Sequence, residues 1–313
     1  MLSSVSNGIL LLTIAYGVFI GFGVGISYGV PIYVIAKWFP HKKGMVIGLV
    51  LSGFGLSPLF TAPLGHWFIN SFGLKATFLI YGIIFGLLII LLSLLIRIPS
   101  VAEGPESENI HNNEACHMTE TKSYKFAYAC FFLGTLIGLT IIGLTSNVGQ
   151  DLIGLEAQDI ALMMIVFALF NGIGRPLFGW MTEKYGAQIA MRNSYLLISI
   201  ASMGMLFARE GTIVLYLVLF AVLWLNLGAW LAIAPMMTMK LYGMASYSEN
   251  YGLMFTAYGL GAVVGVIGTG LLIDLLNNYR VIFIIIILLS VVGIMLSQKV
   301  VQESNLEQIQ ISS

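Results

Sequence analysis

Residues 31–56 read PIYVIAKWFPHKKGMVIGLVLSGFGL, and residues 235–260 read PMMTMKLYGMASYSENYGLMFTAYGL. Pro31 answers to Pro235, Gly48 to Gly252, Leu49 to Leu253, Gly55 to Gly259 and Leu56 to Leu260, at a constant offset of about 204 residues. After a one-residue slip the match continues, Lys75 to Arg280 and Phe78 to Phe283. Order and spacing hold together, which is the pattern of a duplicated chain. Residues 125–208 would then have a partner ahead of Met1, so the register predicts an upstream segment of about eighty to ninety residues with three further spans. On that expectation the 313 residues alone insert into a membrane but do not transport, and their partner is the absent group of helices, upstream or separate.

Both copies are strongly apolar, and so is the rest of the chain. Hydrophobic residues make up 58% and charged residues 9%, and the mean hydropathy is +0.95. That leaves too little polar surface to cover a globule of this size, so the lipid bilayer is the expected surrounding. Stretches able to cross roughly 30 Å of hydrocarbon as helices fall at 8–36, 44–68, 76–97, 126–148, 158–182, 188–208, 212–238, 250–273 and 279–298, nine expected spans. The alternation of a membrane β-barrel is absent, which leaves an all-α membrane protein.

The 14 basic and 14 acidic residues cancel, so no basic field for nucleic acid exists. Their distribution is uneven. Lys37, Lys42 and Lys43, then Arg97, Lys122 and Lys125, then Lys184 and Arg192, Lys240 and Lys299 fall on one set of connections; the alternate set holds Lys75, Arg209 and Arg280. The positive-inside rule makes the Lys-rich set cytoplasmic, with the C-terminus inside and the N-terminus outside a multi-pass protein of the cell (inner) membrane. No Lys or Arg precedes Lys37, and the first apolar stretch is too long for a signal peptide, so it reads as a true span. Cys116 and Cys130 read as free thiols.

Residues 98–124 are polar and without helical periodicity, a solvated tether between two membrane blocks. His111, Glu114, Cys116 and His117 within it lack the shell that fixes a metal site, and no metal or other cofactor is expected. Gly17, Gly21, Gly25 and Gly29 form a bare stripe at helical spacing; GFGVG there lies inside an apolar helix rather than in a nucleotide loop, so close helix packing is expected. Gly44 with Gly48, and Gly261 with Gly265, repeat that spacing, and Pro31, Pro58, Pro176 and Pro235 are candidate kinks around a cavity.

Arg175, in NGIGRPLFGWMTEKYG, lies about nine residues before Lys184, so it sits roughly 13 Å below the boundary. An Arg at such depth costs at least about 2.5 kcal/mol unless a partner or a wet cavity receives it. Either it snorkels to the cytoplasmic headgroups, or it holds an anion near the midplane. Asp151, Asp159, Glu249 and Asp274 all fall near span ends, an asymmetry that favours a negatively charged ligand. Tyr28, Tyr33, Asn147, Gln150, Asn171, Trp224, Asn226, Thr256 and Tyr258 could line the same cavity or serve as interhelical glue and interfacial anchors. Asn171 stands first among them because it shares a helix face with Arg175. No nucleophile, base and oxyanion set is legible, so no enzyme is expected.

With these segments in view, the chain resembles the major facilitator superfamily, and within it the oxalate:formate antiporter and monocarboxylate carrier group. The resemblance rests on the YG of the first span followed by KWFPHKKGMVIGLVLSGFG, on NGIGRPLFGWMTEKYG, and on NYGLMFTAYGLGA. A weaker form of the superfamily's cytoplasmic loop motif stands at Gly179, Glu183, Lys184 and Gly186, with Glu where Asp is usual. The resemblance implies a major facilitator fold of which nine transmembrane helices, equivalent to helices 4 to 12, are present. Residues 1–97 would form the second half of the N-terminal bundle, 98–124 the cytoplasmic linker, 125–298 the six-helix C-terminal bundle and 299–313 a cytoplasmic tail. It places a carboxylate ligand on Arg175. Tyr258 stands where the oxalate carrier has a Lys, which points away from a dianion toward a monocarboxylate such as formate or lactate. The expected function is secondary active transport of a small organic anion, a monocarboxylate such as formate or lactate or an oxalate-like dicarboxylate, by alternating access, as antiport or proton symport. The alternative is a non-transporting membrane remnant or association module.

Overall fold

The structure, a computed structural model, describes residues 2–5, 8–99, 118–276 and 278–312. His111, Glu114, Cys116 and His117 lie outside the described residues. All regular structure among the described residues is helical. α1 (Ile9–Leu12) continues through a π-helical stretch, Thr13–Ile20, into α2 (Gly21–Trp38), and α3 (Lys43–Ser93) follows. α4 (Lys122–Asn147) closes in a π-helical turn, Val148–Leu152, and is followed by α5 (Ala157–Tyr185), α6 (Ala187–Met205), α7 (Ile213–Tyr242), α8 (Tyr247–Leu276) and α9 (Tyr279–Ser312).

Among the described residues eight stretches are long and apolar enough to cross a membrane: Ile9–Trp38, Lys43–Thr61, Pro63–Ser93, Lys122–Leu152, Ala157–Tyr185, Ile213–Tyr242, Tyr247–Ile273 and Tyr279–Ser304. The ninth expected span corresponds to α6, whose 19 residues are long enough but include Gln188, Arg192, Asn193 and Ser194, which lower its hydropathy. With backbone groups satisfied inside each helix, this is a multi-pass membrane protein. Inside the gap expected between the second and third spans, α3 departs from helical geometry at Gly73, with φ 80° and ψ 166°. Only glycine enters that region without a Cβ penalty.

The chain divides into two compact units, Met1–Pro40 with Ser57–Val101, and His41–Leu56 with Ala102–Ser313. Within the first, Trp38 Nε1 donates to the Arg97 carbonyl at 2.9 Å and Tyr81 Oη to the Thr61 carbonyl at 2.7 Å. Its helices show mostly apolar surface: 6% of the most apolar window of Ile9–Trp38 is buried, against 67% for Ile213–Tyr242. A Cβ on Gly17, Gly21, Gly25 or Gly29 would meet nothing within 4 Å, so the close packing expected of that stripe is not formed among the described residues.

In the second unit the helix contacts come in matched pairs. α5 packs on α7 as α4 packs on α8, and α6 packs on α7 as α4 packs on α9. Exchanging α4–α6 for α7–α9 therefore reproduces the pairing, the relation expected of a repeated three-helix unit. The centre is Trp230, fully buried, 5.0 Å from the Tyr195 ring and 6.5 Å from Phe131, over Gly134, whose Cβ would stand 2.3 Å from the indole. Gly261 and Gly265 approach α4 as their spacing predicts, with Cβ positions 2.4 Å from Thr135 Oγ1 and 2.8 Å from the Leu136 carbonyl. At the far end of α4, the Tyr279 hydroxyl of α9 donates to Asp151.

Candidate functional site

Arg175 is 2% exposed on α5. Its Nη1 donates to the Leu51 carbonyl at 2.8 Å and its Nη2 to Asn171 Oδ1 at 3.2 Å. The guanidinium carbon lies 5.4 Å from the centre of the Phe54 ring, a cation–π contact. Asn171 is held in turn, because its Nδ2 donates to the Trp224 carbonyl of α7 at 3.1 Å. That bond fixes which end of the amide faces Arg175. These two bonds of the guanidinium run to neutral oxygens.

The wall opposite α5 is the first part of α3, and glycine lets the two backbones meet. A Cβ on Gly44 would stand 2.1 Å from the Gly179 carbonyl, one on Gly48 2.4 Å from the Arg175 carbonyl, and one on Gly55 2.9 Å from Arg175 Nε. This is the close approach that Gly44 and Gly48 predict. Pro176 carries no amide hydrogen, so it cannot donate to the Gly172 carbonyl four residues back. Ser52 of α3 supplies the donor, its Oγ 2.8 Å from that carbonyl and 2.9 Å from its own Gly48 carbonyl.

Toward the end of α5 the loop-motif residues act on backbone ends. Glu183 Oε2 accepts from the Gly44 amide at 3.1 Å, placing a carboxylate at the start of α3, where the helix dipole favours negative charge. Lys240 of α7 donates to the Thr182 and Glu183 carbonyls, both at 2.8 Å, and so caps the end of α5. Lys184 lies over the Trp180 and Tyr185 rings at 5.1 Å each. Gly186 ends the helix at φ 92°.

The remaining candidates divide. Tyr258 on α8 is half-buried, within electrostatic reach of Arg175, and stacked on Phe255 at 5.1 Å. Trp224 contributes its carbonyl to Asn171, while its Nε1 donates to Thr145 Oγ1 of α4 at 3.1 Å. Asn226 joins a different set: its Nδ2 donates to the Val222 carbonyl at 2.7 Å and its Oδ1 accepts from Ser194 of α6 at 2.8 Å. Tyr28 is buried on α2 in the first unit. Asn147 and Gln150 are exposed at the end of α4, and Thr256 shares a hydrogen bond with Tyr128 at 2.9 Å. Ser52, Leu51 and Lys240 are the participants that sequence reasoning did not single out. A proline four residues after Gly172 was the available sign that α5 needed an outside donor there. Among the described residues no group of three or more His, Cys, Asp or Glu could hold a metal.

The chain belongs to the Major Facilitator Superfamily, whose family description matches residues 1–246 and again 126–306. It is 27% identical over 249 residues to the oxalate:formate antiporter of Oxalobacter formigenes, covering 78% of this chain and 59% of that protein. An uncharacterized MFS-type transporter of Escherichia coli (strain K12), YhjX, is 24% identical, with 84% of this chain and 65% of that protein covered. Monocarboxylate transporter 12 of Xenopus laevis is 23% identical, with 91% and 67% covered. The chain therefore spans about three fifths to two thirds of the length of these relatives. They bear out the resemblance to the oxalate:formate antiporter and monocarboxylate group.

Proposed function

We propose that this chain serves secondary transport of a small organic anion, with Arg175 as the principal ligand of the carboxylate. One observation carries the reading: a buried guanidinium on a transmembrane helix, oriented by Asn171 and within electrostatic reach of Tyr258. A planar fork matches a carboxylate with two parallel bonds. Tyr258 offers a neutral hydroxyl where a second cation would suit a dianion, so a monocarboxylate such as formate or lactate is the favoured solute. The names of the relatives agree with that class, one exchanging oxalate for formate and one carrying monocarboxylates.

The same reading gives residues 98–124 and the C-terminus a cytoplasmic position in the cell membrane, on the Lys and Arg distribution, and takes antiport or proton symport as the driving mode. Residues 1–97 and 125–298 are assigned to the two bundles between which alternating access operates.

Equilibrium binding of radiolabelled formate to the protein in lipid nanodiscs tests the proposal. Saturable binding, competed by lactate and oxalate and not by an organic cation, is expected. Absence of saturable carboxylate binding would overturn it.

A further inference from the structure

We propose that Arg175 exchanges partners: it ties α5 to the Leu51 carbonyl in the closed seam described above, and it takes a carboxylate only after that part of α3 has moved away, with Ser52 setting how often it does so. The inference rests on the carboxylate reading of Arg175 and adds how occupancy of that site is controlled.

At 2% exposure the guanidinium has no face on which a carboxylate could settle. The Phe54 ring covers one side. Gly55 lies so close on another that a single methyl group would stand 2.9 Å from both Arg175 Nε and Asn171 Oδ1. Leu51 and Asn171 already accept from the two terminal nitrogens. A carboxylate needs contacts of about 2.8 Å to two guanidinium nitrogens, so one wall must give way.

The packing decides which wall. α5 cannot recoil toward α7, because a Cβ on Gly174 would stand 2.2 Å from the Leu225 carbonyl and one on Gly228 2.0 Å from the Asn171 carbonyl. Asn171 is pinned there as well, through the Trp224 carbonyl. On the other side α3 has open space behind it at Gly53, and its described polar ties to α5 include Arg175 to Leu51, Ser52 to Gly172, and the Gly44 amide to Glu183. α3 is the wall that can part.

Ser52 touches no ligand in this scheme. Its single hydroxyl proton is shared between Gly172 across the seam and Gly48 in its own helix. When the seam parts, the proton stays with Gly48, and only the Gly172 carbonyl loses a donor. Ser52 therefore stabilises the closed seam selectively, which makes it a positioning residue for Arg175. A ligand that binds the open form alone has an apparent affinity reduced by the fraction of protein that is open. Removing the hydroxyl raises that fraction, so it should tighten anion binding.

The test is equilibrium binding of formate to wild type, Ser52→Ala and Pro176→Ala in nanodiscs, with thermal unfolding measured alongside. Pro176→Ala returns an amide donor to the Gly172 carbonyl from within α5 and relieves its need for Ser52. Ser52→Ala is expected to bind formate about fivefold more tightly, the worth of one neutral hydrogen bond, while melting at a lower temperature. Pro176→Ala is expected to shift affinity in the same direction, and the double variant to add little beyond either. A lower melting temperature with unchanged or weaker formate binding in both variants would mean that Ser52 is only structural, and would overturn the inference. Failure of wild type to bind formate would instead remove the carboxylate reading beneath it, so the two failures are distinct.

Discussion

The Ser52 hydroxyl lies 2.8 Å from the Gly172 carbonyl, the one backbone acceptor of α5 that Pro176 leaves without its helical donor. A defect in one helix is filled by a side chain of its neighbour, one residue along from the carbonyl that receives Arg175. The Arg175 site and the α3–α5 seam are therefore built from the same few residues, and the expectations below separate their roles.

The seam itself should be intolerant of volume. Gly44→Ala and Gly179→Ala each set a methyl about 2 Å from the opposing carbonyl, so each should lower stability by about 1–3 kcal/mol. Gly25→Ala, which meets nothing within 4 Å, should leave the unfolding temperature unchanged or slightly raised. Thermal unfolding in one detergent compares all three; equal effects at Gly25 and Gly44 would contradict the seam.

Lys240 should matter through the end of α5. Lys240→Met removes both bonds to the Thr182 and Glu183 carbonyls and should lower stability by about 1 kcal/mol or less, since the residue as a whole is exposed. Hydrogen exchange should quicken at the last turn of α5 while the centre of the helix keeps its protection. Uniform loss of protection along α5 would point to a different role.

Much of this arrangement was legible in the residues. Apolar length gave the helices, four-residue glycine spacing gave the close approaches of Gly44, Gly48, Gly261 and Gly265, and the i, i+4 placement of Asn171 gave its bond to Arg175. What was not legible is what backbone atoms do. A carbonyl leaves no trace in the sequence, so Leu51 as the acceptor of Arg175 was invisible, and Ser52 looked like any serine in an apolar helix. Lys240 read as a topogenic charge, whereas its ammonium also caps a neighbouring helix. Asn226 was grouped with Trp224 as a cavity candidate, yet its amide faces Ser194, because two residues along a helix turn a side chain by about 200°. The gap expected at 69–75 contains Gly73, where α3 leaves helical geometry, but that the helix resumes at once on either side was not legible.

Topology is open to a thiol probe. Cys130 is fully buried, its Sγ against the Gly293 carbonyl, so it should stay silent toward aqueous reagents. A membrane-impermeant maleimide should leave Cys116 unmodified in intact cells and label it after permeabilisation. Labelling of intact cells would reverse the assigned orientation.

Tyr258 should set the preference between one and two negative charges. Tyr258→Lys adds a second cation near Arg175 and should raise the ratio of oxalate to formate affinity by about tenfold or more. Tyr258→Phe should weaken formate by a few-fold, the loss of one neutral donor. Competition binding reads both; an unchanged ratio in the Lys variant would remove Tyr258 from the site.

The central claim is that Arg175 holds the carboxylate, and the most direct measurement is formate binding to Arg175→Ala and Arg175→Lys, with folding confirmed by helical circular dichroism and unfolding temperature. Saturable binding should vanish in the Ala variant and weaken by about tenfold or more in the Lys variant, which keeps the charge and loses the planar fork. Wild-type affinity in folded Arg175→Ala would contradict the account and leave Arg175 as a tie between α5 and α3.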